Sequence, residues 1–169
     1  LILSDNQLSG AIPPELSNLE LNILYLANNR LSGSIPPHLS IAGPLNLSNN
    51  QLSGSIPPDL TATSVDLSHN QLTGVIPLVM LHWGALGYID LSYNQLTGTI
   101  PTSTTAPYGS YSLNVSNNQL SGSISGELAT SRYRMQYLDL SNNHFSGSLP
   151  LEIGTLSYLD ELQLAGNAS

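Results

Sequence analysis

Polar and apolar positions along this chain follow one frame that is repeated from end to end. An apolar residue, an arbitrary one and a second apolar one come first. Two polar positions and an asparagine follow, then a leucine, a Ser/Thr-Gly pair and an isoleucine that usually precedes proline. The frame Leu-x-Leu-x-x-Asn-x-Leu-[Ser/Thr]-Gly-x-Ile-Pro has its asparagine at Asn6, Asn29, Asn50, Asn70, Asn94, Asn118, Asn143 and Asn167. From the first apolar residue of the pair to the apolar residue after the glycine, Leu1 to Ile12, Leu24 to Ile35, Leu45 to Ile56, Val65 to Ile76, Ile89 to Ile100, Leu113 to Ile124 and Leu138 to Leu149 are each 11 positions apart. All variation in length falls in the return segments that lead to the next pair, which run 12, 10, 9, 13, 13, 14 and 13 positions. Length changes are tolerated where a chain meets solvent, so the constant half is the packed side and the variable half the outer one.

The alternation in Leu24-Tyr25-Leu26, Leu45-Asn46-Leu47 or Ile89-Asp90-Leu91 sends successive side chains to opposite faces, the period of a strand with one buried face. Each unit therefore predicts one short parallel strand, with neighbouring strands about 4.8 Å apart. One unit alone cannot bury its leucines and isoleucine; stacked units share a continuous core.

The three most regular polar or special positions have structural explanations. A buried asparagine amide offers donors and an acceptor where the backbone leaves the strand and loses its partners. The glycines suit torsions that side chains disfavour. The prolines at 13, 36, 57, 77, 101 and 150 hold an extended bend.

Asn-Gln-Leu-Ser-Gly-Ser-Ile-Pro-Pro at 50–58 and Leu-Ser-Tyr-Asn-Gln-Leu-Thr-Gly-Thr-Ile-Pro at 91–101 resemble the plant-type extracellular leucine-rich repeat (LRR) of receptor-like kinase and receptor-like protein ectodomains and of polygalacturonase-inhibiting proteins. The resemblance covers essentially residues 1–169, as one solenoid domain of about seven to eight repeats. It implies a right-handed, curved superhelix with a parallel sheet on the concave face, a second short strand near the Leu-Ser-Gly segment, and short 3-10 or irregular convex segments. It also implies an extracellular or cell-surface location and recognition of a protein, peptide or glycan without enzymatic activity. The cysteine caps of such ectodomains have no counterpart here, nor do a kinase or a membrane-spanning segment, which makes the chain an expected fragment of a longer array. The two shortest returns predict a flatter stretch around residues 35–65.

Charge narrows the partners. The chain has no lysine, three arginines (Arg30, Arg132, Arg134), 11 acids and a net charge of -8. Phosphate backbones and anionic membrane surfaces require clustered cations, so neither nucleic acid nor a membrane surface is an expected partner. No apolar run is long enough for membrane insertion. Without cysteine there are no disulfides and no thiol chemistry, and neither cofactor nor metal is expected.

Candidate contacts follow from the outward positions of the strands. Middle positions are Ile2, Tyr25, Asn46, Asp66, Asp90, Asn114, Asp139 and Gln163, and Tyr88, Tyr93, Tyr111 and Tyr137 gather beside three successive strands. Tyrosine supplies large, stiff, amphipathic contact area. The expected ligand-binding residues are therefore Tyr88, Asp90, Tyr93, Tyr111, Asn114, Tyr137 and Asp139, against the plainer reading that these tyrosines pack on one another across strands. The letters of a hydrolytic triad in Asp66, Ser68 and His69 recur because the frame recurs, so catalytic residues are not expected. Asp66 and Asp90 alone make a weak calcium site. Of three Asn-x-Ser sequons, Asn46 and Asn114 face outward as glycosylation candidates, whereas Asn167 occupies a ladder position.

Two alternatives remain from the residues. The strands at Leu1-Ile2-Leu3 and Leu162-Gln163-Leu164 suit end-to-end self-association into a filament or matrix. A row of small polar residues, Ser34, Ser55, Thr99, Ser123 and Ser148, suits an ice or polysaccharide surface.

Overall fold

The computed structural model describes residues 1–82, 87–101, 112–130 and 135–167. In chain order its strands are β1 (Ser9–Gly10), β2 (Leu24–Tyr25), β3 (Arg30–Gly33), β4 (Pro44–Asn46), β5 (Gln51–Ser55), β6 (Ser64–Asp66), β7 (Gln71–Gly74), β8 (Tyr88–Asp90), β9 (Gln95–Gly98), β10 (Ser112–Asn114), β11 (Gln119–Ser123), β12 (Tyr137–Asp139), β13 (His144–Ser146) and β14 (Glu161–Gln163). The even-numbered strands form one seven-stranded parallel sheet and the odd-numbered strands another, each strand paired with its counterparts one repeat away. Ile2 bridges to Tyr25 and extends the first sheet by one more position. Among the described residues there is no α-helix. The architecture is an LRR solenoid.

The first sheet is the alternating half of the frame. In β4 and β6 the central Leu45 and Val65 are buried and their neighbours half-buried, as strict alternation requires. The ladder continues through the second apolar residue of each pair: Leu47 N donates to Asp66 O at 2.8 Å, Leu67 N to Asp90 O at 2.8 Å and Leu91 N to Asn114 O at 2.8 Å. From the second repeat to the sixth, and in the seventh up to Phe145, both apolar residues of the pair and the apolar residue after the asparagine join one continuous core running from Ile12 to Phe145. The isoleucines after the glycine join it from Ile12 to Ile100, whereas Leu1, Leu3, Leu8 and Leu149 are exposed. Each such side chain contributes roughly 1.5–3 kcal/mol when fully buried, and only against a neighbouring repeat.

The asparagines tie successive repeats together. Asn118 Nδ2 donates to Val115 O and Ser116 O of its own repeat at 3.1 and 3.2 Å and to Leu91 O of the preceding one at 3.0 Å. Its Oδ1 accepts the backbone N–H of Leu96 at 2.9 Å. Asn50, Asn70, Asn94 and Asn143 repeat this pattern. Asn167 also bonds in this way, to Leu140 O, Leu164 O and Phe145 N, so the third sequon does begin at a ladder position.

The return segments divide by length. The first, fourth, sixth and seventh, of 12, 13, 14 and 13 positions, carry 3-10 turns at Pro14–Asn18, Leu78–His82, Gly126–Thr130 and Leu151–Thr155. The 10- and 9-position returns each keep only a single turn, at 37–38 and at 58–59, where Leu60 N donates to Pro57 O at 3.2 Å, and are pinned through the bridges Leu21↔Ile41 and Ser40↔Thr61. Continuing into a 3-10 helix needs about three residues per turn besides its approach and exit, which the shorter segments do not spare.

Candidate functional site

The register of the first sheet sets two rows on the face turned away from the core. One runs Ile2, Tyr25, Asn46, Asp66, Asp90, Asn114, Asp139, Gln163. In the other, Ser112 pairs with Tyr88 on one side and Tyr137 on the other. The two tyrosines thus flank a serine and stand two strand spacings apart, about 9.6 Å. Between them lies a concavity of about 400 Å³ lined by Tyr88, Asp90, Ser112, Asn114 and Tyr137.

Each tyrosine lies along its own strand, held by the aspartate two residues on. Tyr88 Oη donates to Asp90 Oδ2 at 2.9 Å, and Tyr137 Oη to Asp139 Oδ2 at 3.3 Å. Asn114 Nδ2 also donates to Asp90 Oδ2, at 3.1 Å. Asp90 is almost fully buried under these groups.

The middle-row residues have a second task that the alternation does not reveal. Asn46, Asp66, Asp90, Asn114 and Asp139 each accept, on Oδ1, the backbone N–H of the serine two positions on, at 2.8–3.1 Å. In three of them that serine's hydroxyl donates to the same oxygen. These are local side-chain caps that satisfy the backbone as the strand ends. Their signature is Asx-x-Ser, present in all five repeats, and the two outward sequons, Asn46-Leu-Ser and Asn114-Val-Ser, are instances of it.

Of the residues expected to form a patch, the fold brings Tyr88, Asp90, Asn114 and Tyr137 together, with Asp139 joined through Tyr137. Ser112, the floor of the concavity, escapes sequence reading because nothing marks a serine before the register is known. Tyr111 lies outside the described residues, and the register gives its neighbour Ser112 the row position. Tyr93 belongs to a different group. It sits in the turn after β8, about half exposed, and its ring stacks on His69 with centroids 4.2 Å apart and planes 11° apart.

That stack occupies unusual backbone. The residue before each ladder asparagine is left-handed, with φ of 52° to 59° at Asp5, Asn28, Asn49, His69, Tyr93, Asn117 and Asn142. Asn and Asp tolerate this region; His69 and Tyr93 are the departures, in adjacent repeats. Ser68 Oγ donates to Asp66 and the His69 ring faces Tyr93, so Asp66, Ser68 and His69 do not form a nucleophile–base–orienter relay.

Burial, then the Asp90 carboxylate and its hydrogen bond, raise the Tyr88 phenol well above the ordinary value near 10. Burial followed by Asp139 raises Tyr137 in the same direction. A folded-state value above the unfolded one favours the protonated native form, so stability is intact below pH 10 and falls as pH rises past it. The urea midpoint is accordingly expected to hold up to about pH 10 and drop above it, with a shallower drop in Tyr88→Phe; equal drops in both proteins would count against the assignment.

A family model for the Leucine Rich Repeat matches the chain over residues 1–19, 20–40, 45–63, 61–83, 85–105, 111–131 and 134–156. The chain belongs to the leucine-rich repeat family. No curated protein matches this LRR chain at a significant level. Among solved structures it is similar to the plant peptide hormone receptor RGFR1 in complex with RGF2, at 36% identity and TM-score 0.90, covering 99% of this chain and 28% of that one. It is similar to the LRR ectodomain of the Arabidopsis receptor kinase HAESA in complex with an N-terminally extended IDA peptide hormone, at 38% identity and TM-score 0.80, covering 96% and 28%. A plant ice-binding protein matches at 34% identity and TM-score 0.72, covering 89% and 50%. The LRR chain thus spans less than a third of the two receptors and half of the ice-binding protein.

Proposed function

We propose that this LRR chain is a recognition segment of a secreted or cell-surface receptor-like protein and binds an extended peptide across the outward face of its first sheet, without catalysing a reaction. The observation that carries the reading is the tyrosine-walled concavity on that face, in a chain whose solved neighbours include two receptors in complex with peptide hormones. Half-exposed tyrosines held by the carboxylates of Asp90 and Asp139 present stiff contact area at low entropic cost. A hydroxyl row for ice is weaker support, since the exposed Val75 interrupts Ser34, Ser55, Thr99 and Ser123.

The same reading divides the two outward sequons. A glycan on Asn114 would cover the concavity and disturb its bond to Asp90, so Asn46 is the acceptor consistent with binding. Intact mass before and after deglycosylation of secreted protein, compared with Asn46→Gln, checks this.

Selection of a random 12-residue peptide display library against the chain tests the binding face. Selected peptides are expected to bind Tyr88→Ala or Tyr137→Ala at least about tenfold more weakly, as for a hot-spot aromatic, and Ser55→Tyr on the second sheet unchanged. Peptides indifferent to both tyrosines would contradict the proposal.

A further inference from the structure

The concavity has a charge as well as a shape. Among the described residues the one contact between a basic and an acidic side chain is His38 with Asp59, on neighbouring return segments. The row beside the concavity carries Asp66, Asp90 and Asp139, and Glu161 pairs in register with Tyr137. None of these four carboxylates has a cationic partner among the described residues. Their acceptor capacity is unevenly used. Asp90 already takes bonds from Ser92 N, Tyr88 Oη and Asn114 Nδ2. Asp139 Oδ2 receives only the 3.3 Å contact from Tyr137. Asp66 binds Ser68 through Oδ1 alone.

We propose that the slot between Tyr88 and Tyr137 receives the guanidinium of an arginine presented by the bound peptide. This deepens the peptide-binding reading and rests on it. Three features select that group. Strands about 9.6 Å apart, with only a serine on the strand between them, leave room for one flat group beside the two rings. A cation over a tyrosine face is attracted by the ring, and a guanidinium stacks there where an ammonium does not. Its positive charge is met by Asp90 in the lining and by Asp139, which is hydrogen-bonded to the Tyr137 wall, while the phenols, protonated at neutral pH, add no competing negative charge. A neutral sugar stacks on one wall but leaves the carboxylates unpaired. A metal ion lacks its ligand set, since no group of three or more His, Cys, Asp or Glu suited to a metal occurs among the described residues.

The test uses the whole chain, labelled with nitrogen-15, and two probes, Nα-acetyl-arginine methylamide and its neutral isostere Nα-acetyl-citrulline methylamide. The arginine probe is expected to shift the amide resonances of Tyr88–Asp90, Ser112–Asn114 and Tyr137–Asp139, with at least about tenfold weaker response to citrulline and loss of response when salt is raised. Ser112→Tyr fills the slot and removes the response; its amide spectrum reports at once whether it has folded. Tyr137→Ala, at a half-exposed position, weakens the response should Ser112→Tyr not fold. Equal responses to the two probes, or an arginine response that survives an intact Ser112→Tyr, overturn the proposal. The two readings fail separately. Selected peptides that depend on Tyr88 but tolerate replacement of every arginine by citrulline leave peptide docking standing and remove the arginine slot. An arginine response without any face-directed peptide does the reverse.

Discussion

Asn118→Ala is expected to lower stability by about 3–5 kcal/mol, against a total of roughly 5–15 kcal/mol for a domain of ordinary stability. The side chain is 8% exposed and makes four bonds, three to carbonyls and one to the Leu96 N–H. Alanine leaves the Leu96 donor buried with nothing to meet, at a cost of about 1–3 kcal/mol, and removes the carbonyl contacts as well. Because those bonds join one repeat to the preceding one, the damage falls on a nearest-neighbour interface. The urea transition followed by circular dichroism is therefore expected to broaden or divide as well as shift. Asn118→Asp makes a sharper comparison. Its carboxylate would face the carbonyl oxygens of Leu91, Val115 and Ser116, which favours the protonated acid in the folded state. The native form then holds a proton that the unfolded chain releases above about pH 4, so the deficit is smallest near pH 4 and grows toward pH 7. The alanine deficit has no such slope. Asn6→Ala, at an exposed position with bonds only to Leu3 O and Ser4 O, is expected to cost less than about 1 kcal/mol. If Asn118→Ala stayed within 1 kcal/mol of the parent, the ladder would not be what joins the repeats.

The same residues show what a sequence discloses and what it withholds. The first sheet was legible because period-two alternation recurs at a constant 11-position offset, and the ladder because only an amide supplies both donors and an acceptor at a strand exit. Part of the candidate site was legible too, since Tyr88, Asp90, Asn114 and Tyr137 do meet. Ser112 was not, because its importance is its place between two tyrosines, a fact of register. Tyr93 parted from the others because its left-handed backbone aims its ring at His69, and alternation carries no information beyond the strand end. The caps were missed for another reason. Asp66 or Asn114 on an outward position reads as free surface, while the bond that occupies it is local and is announced only by the serine two positions on. Polar residues on that face therefore serve the backbone first, and a ligand meets what remains.

Gly122→Ala is expected to cost about 2–3 kcal/mol, and most of the added cost over a matched control should vanish when Thr99 becomes serine. Gly122 has φ of +86°, where an L residue pays about 1–2 kcal/mol whatever surrounds it. An added Cβ would also sit 2.9 Å from Thr99 Cγ2 of the preceding repeat. Gly147 has the same φ of +86°, but its added Cβ would meet Ser123 Cβ at an ordinary 3.7 Å, so Gly147→Ala measures the torsional cost alone. Thr99→Ser removes the methyl that collides and, at an exposed position, should change stability by less than about 0.5 kcal/mol by itself. A double-mutant cycle on Gly122 and Thr99 then isolates the crowding between repeats, with an expected coupling near 1 kcal/mol. Zero coupling would mean that the glycines are retained for their torsion alone. A positive coupling means that they also set how closely the second-sheet strands stack, and hence the strand spacing on which the tyrosine slot of the first sheet depends.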